Sequence, residues 1–179
     1  MKNKLSRLCR LTYRKMVAPI AHFNAPLYTK IITKHYKRSG MNITGAPYYL
    51  CPSIWFDGTD YSLITIENGL SISKNVTVLT HDFSANTVYK ELELKNRETI
   101  EKQFEKDRLL SVKPIRIGAH TFIGMNSTIL PGSNIGSNCI IGAGSVVRGI
   151  IPDNSIAYGN PAVVIKKTSE WLERKYLDE

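Results

Sequence analysis

The sequence predicts a mainly β fold, a parallel β-helix of triangular coils, because three registers of one six-residue period coincide. Stepping from Ile117, the positions Ile117, Ile123, Ile129, Ile135, Ile141 and Val147 all carry β-branched aliphatics. Two positions before each, from the second onward, stand the small residues Thr121, Ser127, Ser133, Cys139 and Ser145. The position after the aliphatic is glycine at Gly118, Gly124, Gly136 and Gly142. Such a unit is a short strand that carries one aliphatic into a core, followed by a tight corner. Three strands and three corners make one coil, and stacked coils share that core. A helix does not fit, since a step of six is out of phase with 3.6 residues per turn, and a hairpin meander lacks a fixed period.

A second tract lies upstream. Ile66, Ile72 and Val78 are six apart, and Ile64, Leu70 and Val76 fill the slot two before each. Val78 and Ile117 are 39 positions apart, which is not a multiple of six, so an insertion over residues 82–114 separates the tracts. Its segment YKELELKNRETIEKQFEKDRLL is rich in helix formers of mixed charge and is expected to hold a helix or loop. The β-helix is assigned to residues 45–167. Residues 1–44 form a basic, helical N-terminal segment: Leu5, Leu8, Cys9, Thr12 and Met16 share one face over 4–17, and PLYTKIITKHYKR over 26–38 ends at Gly40. Residues 168–179 make a C-terminal helix, capped by Thr168 or Ser169 and covering the last coil.

The 179 residues, 42% hydrophobic and 22% charged, suit one domain with an ordinary core. Its net charge of +9 is uneven. Residues 1–40 hold ten lysines and arginines and no acid, so the remainder is close to neutral. No basic face on a recognised binding module follows, which argues against nucleic acid. The basic segment reads as a packed helix pair with a solvated face, as a contact with an anionic membrane surface, or as a site for an acidic sugar. Three cysteines with no CxxC pair suggest neither a disulfide framework nor a cysteine zinc site, and point to a reducing cytoplasm; Cys139 is expected to pack as a small hydrophobe. No secretory signal and no apolar run of membrane-spanning length are read.

Two segments carry chemistry. NVTVLTHDFS, at 75–84, closes the first tract immediately before the insertion and supplies His81, an imidazole suited to general-base work near neutral pH. IWFDGTDYSLITI, at 54–66, supplies Asp57, Asp60, Trp55 and Tyr61. Asp57-Gly58 also suits a plain turn.

The tract IGAHTFIGMNSTILPGSNIGSNCIIGAGSVV, the histidine run and the tail YGNPAVVIKK at 158–167 resemble the bacterial hexapeptide-repeat transferase family. Within it the chain is similar to the saccharide O-acetyltransferase branch, which includes maltose, galactoside and capsular polysaccharide O-acetyltransferases. The resemblance covers residues 50–166. It implies a left-handed parallel β-helix, a homotrimer with active sites between subunits, and acetyl-CoA as co-substrate with no metal. It carries the general base to His81. It makes Asp57, Asp60, Tyr61 and Trp55 candidates for holding a saccharide acceptor, Asp57 alternatively orienting the imidazole. Gly124, Met125, Gly142 and Ala143 are placed along the pantetheine arm of CoA, with Arg148, Lys166 and Lys167 at its phosphates.

His120 follows Ile117 by three positions, as His81 follows Val78, and is placed in an equivalent corner without a catalytic role. A zinc-binding branch of the fold uses three histidines, and here only His81 and His120 are candidates, so no metal is expected. Glu67 and Ser73 depart from the expected glycine, and Met125 stands where serine is frequent. The expected activity is O-acetyl transfer to a sugar hydroxyl in cell-surface glycan assembly, in the cytoplasm, at the inner face of the membrane if the basic segment meets lipid. The alternatives are an N-acetyltransferase on an amino sugar, a serine or xenobiotic acetyltransferase, and a non-catalytic trimeric scaffold.

Overall fold

A computed structural model describes residues 12–57, 60–82, 84, 98, 102 and 112–177. Residues 1–11 and most of the insertion, with the helices expected there, lie outside the described residues. The core is a prism of three parallel sheets wound coil upon coil, a left-handed β-helix. Sheet A stacks β1 (Asn42–Ile43), β4 (Ile64–Ile66), β7 (Ile115–Ile117), β10 (Asn134–Ile135) and β13 (Ile150–Ile151). Sheet B stacks β2 (Tyr49–Leu50), β5 (Ser71–Ile72), β8 (Phe122–Ile123), β11 (Ile140–Ile141) and β14 (Ser155–Gly159), with β15 (Ala162–Lys167) added antiparallel at its end. Sheet C stacks β3 (Trp55–Phe56), β6 (Thr77–Val78), β9 (Thr128–Ile129) and β12 (Val146–Val147).

The period seen in the sequence is the inward column of each sheet. Ile66, Ile117 and Ile135 stack in A, Ile72, Ile123 and Ile141 in B, and Val78, Ile129 and Val147 in C, and all nine are fully buried. Burying each such side chain contributes about 1.5–3 kcal/mol. The small slot fills the corners. Thr121 Oγ1 donates to Gly136 O at 2.8 Å, Ser127 Oγ to Gly142 O at 3.0 Å and Ser133 Oγ to Leu130 O at 2.7 Å. Corner carbonyls that no ladder reaches are thereby satisfied. Cys139 packs in the same slot, fully buried, as expected. Glycine follows the aliphatic because coils touch there: a Cβ on Gly118 would lie 2.5 Å from the backbone carbon of Gly136.

The prism begins at Asn42, a few residues before the sequence boundary, and its first coil carries Ile43, Leu50 and Phe56 inward. The helix Ala25–Arg38 packs against this coil. Asn24 caps it, Oδ1 accepting from Leu27 N at 2.9 Å, and Tyr28, Ile32 and Tyr36 bury one face at helical spacing. The Arg14 guanidinium lies 5.7 Å from the Tyr36 ring centre and donates to Ile54 O, fastening residues 12–17 to the same end. At the far end, β15 makes the last pairing. The helix Thr168–Tyr176 packs on β15 and buries none of its own residues, and the Thr168 hydroxyl donates to Asn138 O at 2.8 Å instead of capping, so the expected cap is not formed.

Candidate active site

The site arises from stacking coil 1 under coil 2. Trp55 and Phe56 pair with Thr77 and Val78, which sets the residue after β3, Asp57, beneath the residues after β6. Three donors converge on Asp57 Oδ2: Thr80 N at 2.6 Å, Thr80 Oγ1 at 2.6 Å and His81 Nδ1 at 2.9 Å. Asp57 and Thr80 are buried, whereas the His81 side chain is 30% exposed. A carboxylate accepting at Nδ1 fixes the proton there and makes Nε2 the basic nitrogen. One face of the pair is thus rigid and dry, and the imidazole reaches solvent.

The chain leaves the prism immediately after this histidine and returns beside it. His81 forms an antiparallel bridge with Val112, and Lys113 N donates to Thr80 O at 2.7 Å. Asp82 follows on the surface. Hydrogen bonds from Ser84 hold its carboxyl below the usual range, and Arg148 and His81 add to this. Arg148, exposed after β12, therefore shares the C-to-A edge with His81.

The structure sorts the other sequence candidates. Trp55 lies on the outer face of sheet C, 44% exposed, two residues before Asp57. Tyr61 is buried at the coil 1 end, edge-on to Tyr36 at 5.6 Å and to Phe56 at 6.4 Å, so it is core and offers no ring for stacking on a ligand. Asp60, exposed, caps the short 3-10 helix Tyr61–Leu63, its Oδ1 accepting from Ser62 N at 2.9 Å and Ser62 Oγ at 2.7 Å. Asp57 too is withdrawn from the surface, and of its two anticipated roles the orienting one matches the geometry. Thr80, missed by the sequence reading, is its second partner.

His120 and His81 are not equivalent. His81 stands on the C-to-A edge, while His120 is the A-to-B corner of the next coil, at φ 54° and with its Nδ1 where a Cβ on Gly69 would meet it. Glu67 has a structural reason: Oε1 accepts from Arg116 Nε at 2.8 Å and Oε2 from Ala119 N at 3.2 Å, joining two coils where glycine was expected.

The candidate CoA positions divide as well. Gly124 N donates to Ile141 O at 2.8 Å and Gly142 N to Ala157 O at 2.9 Å, so these amides serve coil stacking and are not presented to a ligand. Met125 and Ala143, on the B-to-C edge beside them, face outward. Lys166 and Lys167 pair with Ile156 and Ser155 at the end of sheet B. Within one copy the width of sheet C therefore lies between His81 and Met125. Among the described residues no group of three His, Cys, Asp or Glu is gathered in a way that would hold a metal ion, and no helix is long and apolar enough to cross a membrane.

Residues 114–149 match the family model for the bacterial transferase hexapeptide (six repeats). The repeat tract is thus similar to the hexapeptide-repeat transferases. A Mycobacterium tuberculosis protein named as an acetyltransferase is 49% identical over 61 residues, 34% of this chain and 20% of its own length. An Escherichia coli K12 protein named for O-acetyl transfer in lipopolysaccharide biosynthesis is 47% identical over 60 residues, 34% of this chain and 31% of its own. The chain spans about a fifth to a third of the length of the curated relatives it matches. Among solved structures, a hexapeptide-repeat acetyltransferase of Vibrio cholerae superposes with TM-score 0.54 at 17% identity, covering 93% of each chain. The same protein has been solved with acetyl-CoA; that structure gives TM-score 0.50 at 20% identity, over 72% of this chain and 60% of that one. These likenesses establish the shared fold.

Proposed function

We propose that this chain is an acetyl-CoA-dependent O-acetyltransferase acting on a sugar hydroxyl, with His81 as general base and Asp57 as its positioning residue. The observation that carries this reading is the buried carboxylate 2.9 Å from His81 Nδ1. A hydroxyl is a weak nucleophile until its proton leaves, and an imidazole oriented from behind by a carboxylate takes that proton at Nε2. The acceptor oxygen attacks the thioester carbonyl, a tetrahedral oxyanion forms, and collapse expels the CoA thiolate. The proton held on His81 then passes to that sulfur. The products are the acetyl ester and free CoA, and no covalent enzyme intermediate is involved.

The arrangement of edges supports a homotrimer with sites between subunits. His81 and Arg148 stand on one edge of the prism and Met125 and Ala143 on the next, so a neighbouring copy brings the two edges together. Arg148, Lys166 and Lys167 meet the CoA phosphates, and Trp55 offers its exposed ring to the acceptor. The names of the M. tuberculosis and E. coli relatives agree with acetyl transfer, in the second case with cell-surface glycan assembly.

The test is thiol release from acetyl-CoA with a panel of neutral, amino and acidic sugars, wild type against His81→Ala. Sugar-dependent release that falls about 10²–10⁴-fold in the variant is expected. Release only with amino sugars assigns N-acetylation instead. Acetyl-CoA binding without turnover on the whole panel would move the chain to the scaffold class, and release untouched by the substitution removes His81 from the chemistry.

A further inference from the structure

A depression of about 350 Å³ opens on the outer face of sheet A, lined by Thr65, Lys113, Arg116, Gly132, Ser133 and Asn134 among others. Small-molecule sites run from about 300 to 1,000 Å³, so this one has room for a single monosaccharide-sized unit. It adjoins the candidate base through the backbone. Lys113 follows Val112, the bridge partner of His81, and its own N–H is bonded to Thr80. The depression begins one residue beyond the pairing that closes the catalytic corner.

Its charge is also defined. Arg116 is already committed, its guanidinium 2.7 Å from Glu67 Oε1 and 3.4 Å from Asn134 Oδ1. Among the described residues that line the depression, none is an acid and Lys113 has no carboxylate beside it. The lysine stem lies across Gly132, where a Cβ would come within 3.2 Å of Lys113 Cδ, so the missing side chain at a left-handed corner of φ 81° makes room for it. Among the described residues, an ammonium and a Glu67-paired guanidinium in a lining whose other polar groups, Thr65, Ser133 and Asn134, are neutral fit an anionic carbohydrate.

We infer that this depression seats a carboxylate or phosphate of the acceptor, with Lys113 as the residue that selects an acidic sugar over a neutral one. The inference rests on the transfer reading above, and deepens it by naming the acceptor class. A hydrogen bond to a charged group of this kind sets a preference of about tenfold.

The test compares galactose, galacturonate and galactose 6-phosphate as acceptors for the full-length chain and its Lys113→Gln and Lys113→Arg variants, each checked for an unchanged melting curve. Wild type is expected to favour galacturonate or galactose 6-phosphate over galactose about tenfold in kcat/KM, and which of the two leads identifies carboxylate or phosphate. Lys113→Gln brings that ratio near one, and Lys113→Arg restores part of it. Equal use of all three sugars by wild type, or a preference that survives Lys113→Gln, overturns the inference. Titration calorimetry of the same sugars separates the two readings. If no sugar supports thiol release, the transfer reading fails. Binding of an acidic sugar that is lost in Lys113→Gln still upholds the acidic-ligand pocket, while no binding of either acidic sugar refutes it.

Discussion

Replacing Asp57 by asparagine keeps the shape of the catalytic corner and removes its charge. The three hydrogen bonds on Oδ2, at 2.6, 2.6 and 2.9 Å, then lose their charge assistance. The larger effect falls on the reaction. In the proposed transfer, His81 becomes a cation beside this carboxylate on taking the acceptor proton, and opposite unit charges about 4 Å apart attract by about 4 kcal/mol at an effective dielectric constant near 20. Partial solvent access to the imidazole reduces that to about 2–3 kcal/mol, a fall in kcat of ~30–200-fold. The assay is steady-state thiol release by Asp57→Asn, His81→Ala and the double variant. Because Asp57 works through His81, the double variant is expected to be no slower than His81→Ala alone. Asp57→Ala is expected to melt about 5 °C lower as well, since it strands the buried Thr80 N–H, a loss of about 1–3 kcal/mol. An Asp57→Asn enzyme with wild-type kcat, or a double variant whose loss is the product of the two single losses, would refute the dyad.

Further outcomes follow from the packing. Gly118→Ala puts a methyl 2.5 Å from backbone atoms of the next coil, which cannot rotate away. A loss of about 1–3 kcal/mol is expected by calorimetry, and an unchanged Tm would show that the coils separate easily. Burial raises the Tyr28 phenol to about 12 and the Tyr36 phenol further, with Arg14 opposing both. Folding therefore keeps protons that the unfolded chain releases near pH 10, so this stabilisation is complete below pH ~10 and is lost as pH rises toward 12. Absorbance titration at 295 nm should find these two rings ionising only with alkaline unfolding, and Tyr28→Phe should move that midpoint upward; an unmoved midpoint contradicts the assignment.

The repeat was readable because coils 3 and 4 keep a strict period and every inward position carries an aliphatic. It was less readable where the period breaks. Ile43 and Leu50 are seven apart in the first coil, and in the last Ile135 pairs with Ile151, only 16 positions on. His81 stood out as a candidate base from its place at the end of a tract, between repeat and insertion, together with the family resemblance. Asp57 was legible with two roles, an open acceptor contact or a bond to the imidazole, but the choice between them was not, because it depends on the register of coil 1 under coil 2. Tyr61 was misplaced for a related reason: its aromatic neighbours Tyr36 and Phe56 come from a helix and a strand that only tertiary packing brings together. The glycines at 124 and 142 were recognised as special, but stacking explains them without a ligand.

The His81–Val112 bridge ties both ends of a long excursion to one spot on the prism. Ile66 pairs with Ile117, 51 positions on, while Ile117 pairs with Ile135, 18 positions on, and the coils stack without a gap in either case. Closing a chain segment between fixed ends becomes less favourable only by about 0.6 kcal/mol for each doubling of its length. By closure entropy alone, the stretch between residues 82 and 112 can change in length across evolution with little penalty. Because it is anchored beside His81, such changes alter the surroundings of the proposed base first, and in the proposed enzyme the fold would separate the inheritance of its chemistry from the inheritance of its acceptor.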